Sequence, residues 1–351
     1  MGKEQNFFIK RSFDLARLGA VAVSPNPMVG AVLVYQGIII GEGYHQRYGG
    51  AHAEVNAVAS VAAHNRAFIA KSTLYVSLEP CCIFGKTPPC TNLIIQEKIP
   101  KVVISCLDLT PEVRGRGIGI LREHGVEVTT GVLEEEGKAL AATRNIAVSQ
   151  QRPYIILKMA VSSNGYFAPL DRSQFWITQA TSKRLVHRWR SEADAILIGT
   201  TTALMDDPQL DNRHYFGKSP LRIVLDRKLN LPPHLKVFSD GKKTLIVSDQ
   251  IPDTIISEQV QYLQLTFDET FWEKLMHILW MEYKLGVILI EGGAKIFESV
   301  IAAQMWDEAR VLEGQIILEN GIPAPIIPGI PVKKMPLGLD ELKVYRNIHR
   351  S

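Results

Sequence analysis

Three side chains of the kinds that bind transition metals lie close together in the first third of this 351-residue chain. His52, which opens His52-Ala53-Glu54, is followed after 28 intervening residues by Cys81, itself preceded by Pro80, and after eight more by Cys90. One imidazole and two thiolates make a three-ligand zinc site whose fourth tetrahedral position is left for water. Zinc draws the pKa of that water toward neutrality, which makes it a nucleophile. Glu54 lies two residues beyond His52, near enough to reach the water without being a ligand. Its carboxylate could carry the water's proton to a leaving amine. Cys90 directly follows Pro88-Pro89 at an expected helix start, where the helix dipole favours a thiolate. Lys86, between the cysteines, is a cation near the metal, suited to a phosphate or a polar substrate edge. Cys82 is expected to point away from the metal, and Cys106, in a strand, to be core.

These residues need a scaffold, and the hydrophobic pattern supplies one. Residues 31–34 and 37–40 read as a hairpin, and 53–63 as a helix opened by the His-Ala-Glu motif. Residues 73–78 and 101–105 read as strands, with a helix over 91–97 between them. A polar joint ending in Pro153 predicts a domain boundary, with one domain over 1–149 and another over 150–351. Beyond it come strands at 154–157, 195–198, 221–225 and 286–290, and a helix over 182–189. Both halves therefore predict layered α/β domains, with no internal repeat. The second half has no Gly-x-Gly-x-x-Gly, so a Rossmann dinucleotide site is not indicated. Glu291-Gly292-Gly293 does stand between a strand and a helical run over 294–303, where glycines let phosphates approach backbone N–H groups. A plain structural turn explains it equally well, and surface charge explains Asp206-Asp207-Pro208, Arg190 and Arg213.

The His-x-Glu…Pro-Cys…Cys order follows zinc-dependent nucleobase deaminases, although their usual closing element is Cys-x-x-Cys. The longer spacing, with further motifs, resembles the bifunctional deaminase–reductase family of riboflavin biosynthesis. The motifs are Pro25-Asn26-Pro27-Met28-Val29-Gly30, Gly43-Tyr44-His45, His52-Ala53-Glu54-Val55, and the block from Glu79-Pro80-Cys81 through Gly85-Lys86-Thr87-Pro88-Pro89-Cys90. The resemblance implies that His52, Cys81 and Cys90 bind zinc and that Glu54 is the proton shuttle. It also implies that Asn26, His45, Lys86 and Asp108 contact a pyrimidine ribosyl phosphate. Asp108-Leu109-Thr110-Pro111 departs from the family's Asp-Pro-Asn-Pro.

For the second half the resemblance rests on Trp176-Ile177-Thr178, Asp206 to Leu210 and Glu291-Gly292-Gly293, with Lys158 and Ser162 on the first strand. It implies a dihydrofolate-reductase-like α/β domain binding NADPH, after a cytidine-deaminase-like layered domain. Val161, Trp176, Thr202, Asp206, Gly292 and Gly293 would line the cofactor. Arg190, Leu210, Arg213 and Glu291 would face the substrate, two arginines suiting a ribose phosphate. Lys158 and Asp206 are candidates for organising the hydride transfer. Ser162-Ser163-Asn164-Gly165 replaces the family's Ser-x-Asp-Gly, and Ser173-Gln174-Phe175 displaces a substrate-contacting serine before Trp176.

Composition narrows the classes further. The chain is 46% hydrophobic and 21% charged, ordinary globular usage that argues against disorder. A net charge of +3, from 39 basic and 36 acidic residues, gives no basic stripe for nucleic acid. Four cysteines are too few for a disulfide scaffold, and their crowding fits a reducing compartment. No apolar signal core opens the chain and no run reaches membrane-spanning length, so a cytoplasmic enzyme with a small-molecule substrate is expected. A homo-oligomer is compatible with the sequence. The alternatives are a monofunctional deaminase with a degenerate reductase half, a nucleic-acid editing deaminase, and a non-catalytic zinc scaffold.

Overall fold

A computed structural model of the chain describes residues 2–170 and 175–347, so Ser173 and Gln174 lie outside the described residues. The chain divides into two compact units, residues 1–152 and 153–351.

The first unit is built on five strands: β1 (Gly30–Tyr35), β2 (Ile38–Tyr44), β3 (Thr73–Leu78), β4 (Lys101–Cys106) and β5 (Glu127–Thr129), in the order β2-β1-β3-β4-β5. β1 pairs antiparallel with β2 and β3, whereas β3, β4 and β5 run parallel. Its helices are α1 (Gly2–Arg17), α2 (Ala53–Ala59), α3 (Cys90–Gln96), α4 (Arg116–Glu123), α5 (Glu134–Leu140) and α6 (Ala142–Gln150). Strand side chains alternate between faces, and both faces here are apolar. Leu33, Leu74, Val102 and Ile104 pack with residues of α2, α3 and α4. Val32, Tyr75 and Val103 pack on the other side with Phe8, Ile9 and Phe13 of α1 and Leu140 of α5. Two covered faces make a three-layer sandwich.

The expected helix over 53–63 ends earlier, at Ala59, and a 3₁₀ stretch over Ala63–Lys71 follows. The close approach of α2 to β2 depends on glycine: a Cβ on Gly43 would lie 2.3 Å from Ala57 N and 2.6 Å from Ala53 O. That contact sets the distance between the sheet and the His52–Glu54 segment.

The second unit has a nine-stranded sheet. Seven parallel strands are β6 (Tyr154–Val161), β8 (Ala195–Gly199), β9 (Leu221–Leu225), β10 (Thr244–Ser248), β11 (Val260–Gln264), β12 (Val287–Ile290) and β13 (Glu308–Glu313). The pair β15 (Lys333–Leu337) and β16 (Asp340–Arg346) closes one edge antiparallel, giving the order β11-β10-β9-β8-β12-β6-β13-β16-β15. A small ribbon joins β7 (Tyr166–Ala168) to β14 (Ile322–Pro323). Its helices are α7 (Ala180–Glu192), α8 (Thr200–Asp206), α9 (Lys236–Ser239), α10 (Phe271–Met281) and α11 (Ala294–Ala302). Central strands such as Ala195–Gly199 are buried on both sides and read as unbroken apolar runs. One face packs on Trp272, Leu275, Met276 and Phe297, the other on Leu231, Leu235 and Phe238. Among the described residues no helix is long and apolar enough to cross a membrane.

Candidate active sites

In the first unit His52 is the N-cap residue of α2 and Glu54 sits in its first turn. Cys81 follows β3 and Cys90 is the first residue of α3. These elements bring His52 Nδ1 to 3.4 Å from both Cys81 Sγ and Cys90 Sγ. The three donor atoms lie within 4.8 Å of one another, the only such group among the described residues. A borderline-soft divalent ion such as zinc fits a set of one imidazole and two sulfurs. The Cys81 thiol is pulled well below its usual range, first by the Cys90 thiol and then by His52 and the Cys90 N–H, which donates at 3.4 Å. Glu54 is buried, and burial first, then the charge of Cys81, pushes its carboxyl above the ordinary carboxylate range.

A cleft of about 240 Å³ opens over this group, and Asn26, His45, His52, Glu54, Cys81, Lys86 and Asp108 all line it. Cys90 is fully buried behind them. His45 donates from Nδ1 to Ala51 O at 3.0 Å, which leaves Nε2 to accept from Asn26 Nδ2 at 3.1 Å. Burial holds His45 below its usual pKa, in keeping with this neutral tautomer. Lys86 Nζ rests 4.1 Å from the centroid of the Tyr48 ring. Asp108 accepts from the Thr110 backbone N–H at 2.7 Å and so shapes its own loop. Cys82 stands outside the metal group, its Sγ 3.6 Å from Glu112 O. Cys106 is core, its thiol pushed up to about 12 by burial.

Sequence reasoning did not assign roles to Tyr48, Glu79 or Arg144, which also line the cleft. Glu79 is turned to support: it accepts from the N–H groups of Gly115 and Ile118 at 3.0 and 3.3 Å, fixing the start of α4. Arg144 carries no motif and arrives from α6, far along the chain from the metal ligands.

In the second unit a cavity of about 320 Å³ is lined by Lys158, Trp176, Arg190, Asp206, Leu210 and Arg213, among others. Lys158 comes from β6, Arg190 from α7 and Asp206 from the end of α8. Asp340 of β16 anchors the start of α7, accepting from Gln179 N at 2.8 Å and Ser182 Oγ at 2.6 Å. The turn after α8 is held in unusual backbone, with Asp207 at φ 35° and Leu210 at φ 53°.

Glu291, at the end of β12, accepts a two-pronged bond from Arg190 with both N···O distances 2.7 Å, and Lys158 Nζ stands 4.0 Å away. Burial alone would raise the Glu291 pKa, but Arg190 and then Lys158 hold it down at about 2. Lys158 is lowered by burial and then by Arg190, with Glu291 opposing. Arg213 donates its backbone N–H to His187 Nδ1 at 3.1 Å, another contact that sequence reasoning did not anticipate.

Thr202, Gly292 and Gly293 do not line this cavity; they meet each other beside it, where a Cβ on Gly292 would lie 2.9 Å from Thr202 Cγ2. Gly293 has φ +94° and caps α11, a conformation that needs glycine. Val161 is buried at the end of β6 and also stands outside the cavity lining. Trp176 is 61% exposed, with Lys183 Nζ 4.6 Å from its ring centroid. Five cationic side chains (Lys158, Lys183, Arg190, Arg213 and Lys236) and two carboxylates, Asp206 and Asp207, line the cavity, which suits a phosphate-bearing ligand.

Asn164, where the family has Asp, is used as an amide. Its Nδ2 donates to Leu318 O at 2.7 Å while its Oδ1 accepts from Ser162 Oγ at 2.8 Å and from Leu318 N at 3.2 Å. A carboxylate could not make the first of these bonds.

The chain matches the family model for the RibD C-terminal domain over residues 153–347 and that for the cytidine and deoxycytidylate deaminase zinc-binding region over residues 3–106. It is 35% identical to the riboflavin biosynthesis protein RibD of Aquifex aeolicus over 317 residues, 90% of this chain and 88% of that one. It is similar to the solved diaminohydroxyphosphoribosylaminopyrimidine deaminase/5-amino-6-(5-phosphoribosylamino)uracil reductase of Thermotoga maritima, with TM-score 0.87 and 33% identity over 98% of this chain and 99% of that one. RibD from Acinetobacter baumannii gives TM-score 0.87 at 28% identity, again covering 98% of this chain and 99% of that one. A cytidine-deaminase-like domain followed by a dihydrofolate-reductase-like one is what these similarities share with the two units described above, and the chain belongs to the RibD family of riboflavin biosynthesis proteins.

Proposed function

We propose that this enzyme performs two consecutive steps on one early riboflavin precursor in the cytoplasm. A diaminopyrimidinone ribosyl phosphate is first deaminated by water, and its ribosyl chain is then reduced to ribityl by NADPH. The observation that carries the reading is a group of three candidate metal-ligating atoms beneath one cleft that Glu54 and Lys86 also line.

His52, Cys81 and Cys90 would hold zinc, whose chemistry there is to make a water acidic enough to ionise near neutrality. Water adds to the amino-bearing ring carbon, the carbon–nitrogen bond breaks and ammonia leaves. Glu54 takes the proton from that water and delivers it to the departing nitrogen; its burial keeps the protonated form accessible. Asn26, held by His45, presents a fixed amide to the pyrimidine edge, with Asp108 as a further polar partner and Lys86 toward the phosphate.

In the second unit Arg190, Leu210, Arg213 and Glu291 would face the sugar phosphate. Val161, Trp176, Thr202, Asp206, Gly292 and Gly293 would hold the cofactor, which supplies hydride to the opened ribose carbonyl. Glu291 keeps the largely buried Arg190 oriented. Lys158, its pKa lowered by burial, and Asp206, whose charge acts on it, would organise that transfer.

The test uses zinc-loaded protein and the diaminopyrimidinone ribosyl phosphate, with ammonia release and NADPH oxidation followed together. Ammonia followed by an equal amount of NADPH loss is expected, with NADH a poor replacement. Ammonia without NADPH loss would remove the reductase half of the proposal, and no ammonia would remove the whole.

A further inference from the structure

Arg144 is a cation without a counter-ion in contact among the described residues. It stands in the first turn of α6 and lines the metal-bearing cleft. Its Nη2 donates to Thr110 Oγ1 at 3.2 Å, while its Nε is fully buried with no hydrogen-bond partner. Among the described residues no carboxylate lies within 4.0 Å of its guanidinium; Asp108, Glu112 and Tyr48 act on it only from longer range. Burial opposes its charge, yet a guanidinium does not give up its proton in a protein. A half-buried charge with a buried, unused donor costs stability unless something pairs with it.

The surroundings say what that partner is. Lys86 and Thr110 line the same cleft. The Thr110 hydroxyl accepts from Arg144 and so has its own proton to donate. The Tyr48 ring that carries Lys86 also belongs to the group acting on Arg144. One ammonium, one guanidinium fork and one hydroxyl thus border a single opening, a donor set matched to a tetrahedral oxyanion.

We propose that Arg144, acting with Lys86 and Thr110, is the phosphate anchor of the deaminase cleft and sets its preference for phosphorylated over unphosphorylated substrates. This rests on the functional reading above. Arg144 binds substrate at a distance from the reacting carbon, so its contribution falls on substrate selection. Thr110 stands where the family has asparagine, and in this chain its hydroxyl joins the guanidinium in that task.

The experiment compares zinc-loaded full-length wild type with Arg144→Gln and Arg144→Lys. Ammonia release is measured from the ribosyl phosphate and from its dephosphorylated counterpart, and ribose 5-phosphate binding is measured by calorimetry. The expected result is a fall of about 10- to 100-fold in the ratio of the two kcat/KM values in Arg144→Gln, the size of a lost charge-assisted bond. Arg144→Lys should recover part of that ratio, and calorimetry should show one equivalent of ribose 5-phosphate lost from Arg144→Gln. Equal losses on both substrates, or an unchanged ratio, would overturn the proposal and leave Arg144 a brace for Thr110. Failure of wild type to release ammonia would sink the functional reading instead, and the calorimetric difference would still decide whether Arg144 holds a phosphate.

Discussion

In the first unit the metal-ligating side chains and Glu54 all fall between residues 52 and 90, brought together by two short helices and the end of one strand. In the second, Lys158, Arg190 and Asp206 come from β6, α7 and α8 and Glu291 directly follows β12, spread across more than half of that unit. The first arrangement depends on the chemistry of a few donor atoms, which few other residues can replace. The second depends on an ion pair and close packing. A set of metal-ligating atoms is therefore intolerant of residue type, while a cleft held by an ion pair and packing is intolerant of geometry and spreads its requirements over many positions.

The sharpest way to break this comparison is to remove a ligand and use the other unit as the folding control. Cys90→Ser should lower zinc content more than about tenfold and abolish ammonia release. Reduction of the separately supplied deaminated intermediate should persist. Loss of both activities would show that the units are not independent. Glu54→Gln keeps His52, Cys81 and Cys90 and removes the proposed proton carrier, so zinc content should hold while ammonia release falls by about 10²–10⁴-fold.

In the second unit, Glu291→Gln leaves Arg190 largely buried without its carboxylate and should cost about 3–5 kcal/mol in urea unfolding, with reduction lost and deamination retained. Its pH dependence sharpens the point. The folded pKa of about 2 lies below the ordinary 4.5, so Glu291 binds its proton more weakly in the folded state. Its stabilisation is then fully present above pH 4.5 and lost as pH falls from there toward 2. Over that window wild type should lose about 3 kcal/mol relative to Glu291→Gln; parallel curves would mean that the pair is not coupled as described. The smallest effect is expected for Asn164→Asp, which removes one exposed bond to Leu318 O and should cost about 1 kcal/mol with reduction intact.

How legible each region was follows from the same contrast. His52, Cys81, Cys90 and Glu54 could be chosen from residue type and spacing, and the structure brings the three ligand atoms together. Ala195–Gly199 was readable because burial on both faces makes it apolar without interruption, whereas Thr244–Ser248, equally buried, and Glu308–Glu313 went unread. Edge strands such as Lys333–Leu337 carry charge and escaped notice, as did the parallel strand Val260–Gln264, whose burial fades along its length. Helix α2 ran shorter than its alanine-rich pattern suggested, since composition does not mark where a helix turns to 3₁₀. Arg144 was invisible because nothing local distinguishes it from a surface arginine; only the fold brings α6 to the cleft. Thr202 and Gly292 were singled out for a cofactor, yet what they visibly do is pack against each other, a contact that no motif reports.

Gly41 and Gly43 lie two apart on β2, on the same face, and a Cβ at either would collide with the backbone of α2 at Ala57, at 2.4 and 2.3 Å. Helix and strand are therefore seated main chain on main chain, with no compressible side-chain layer between them. A side-chain layer can repack to absorb a small error, whereas a bare backbone seat passes any displacement on to whatever the helix carries. What it carries is His52 at its cap and Glu54 in its first turn, the proposed metal ligand and proton carrier. Two positions without any functional group of their own thus act as the datum surface from which the chemistry is measured, and drift is least forgiven there.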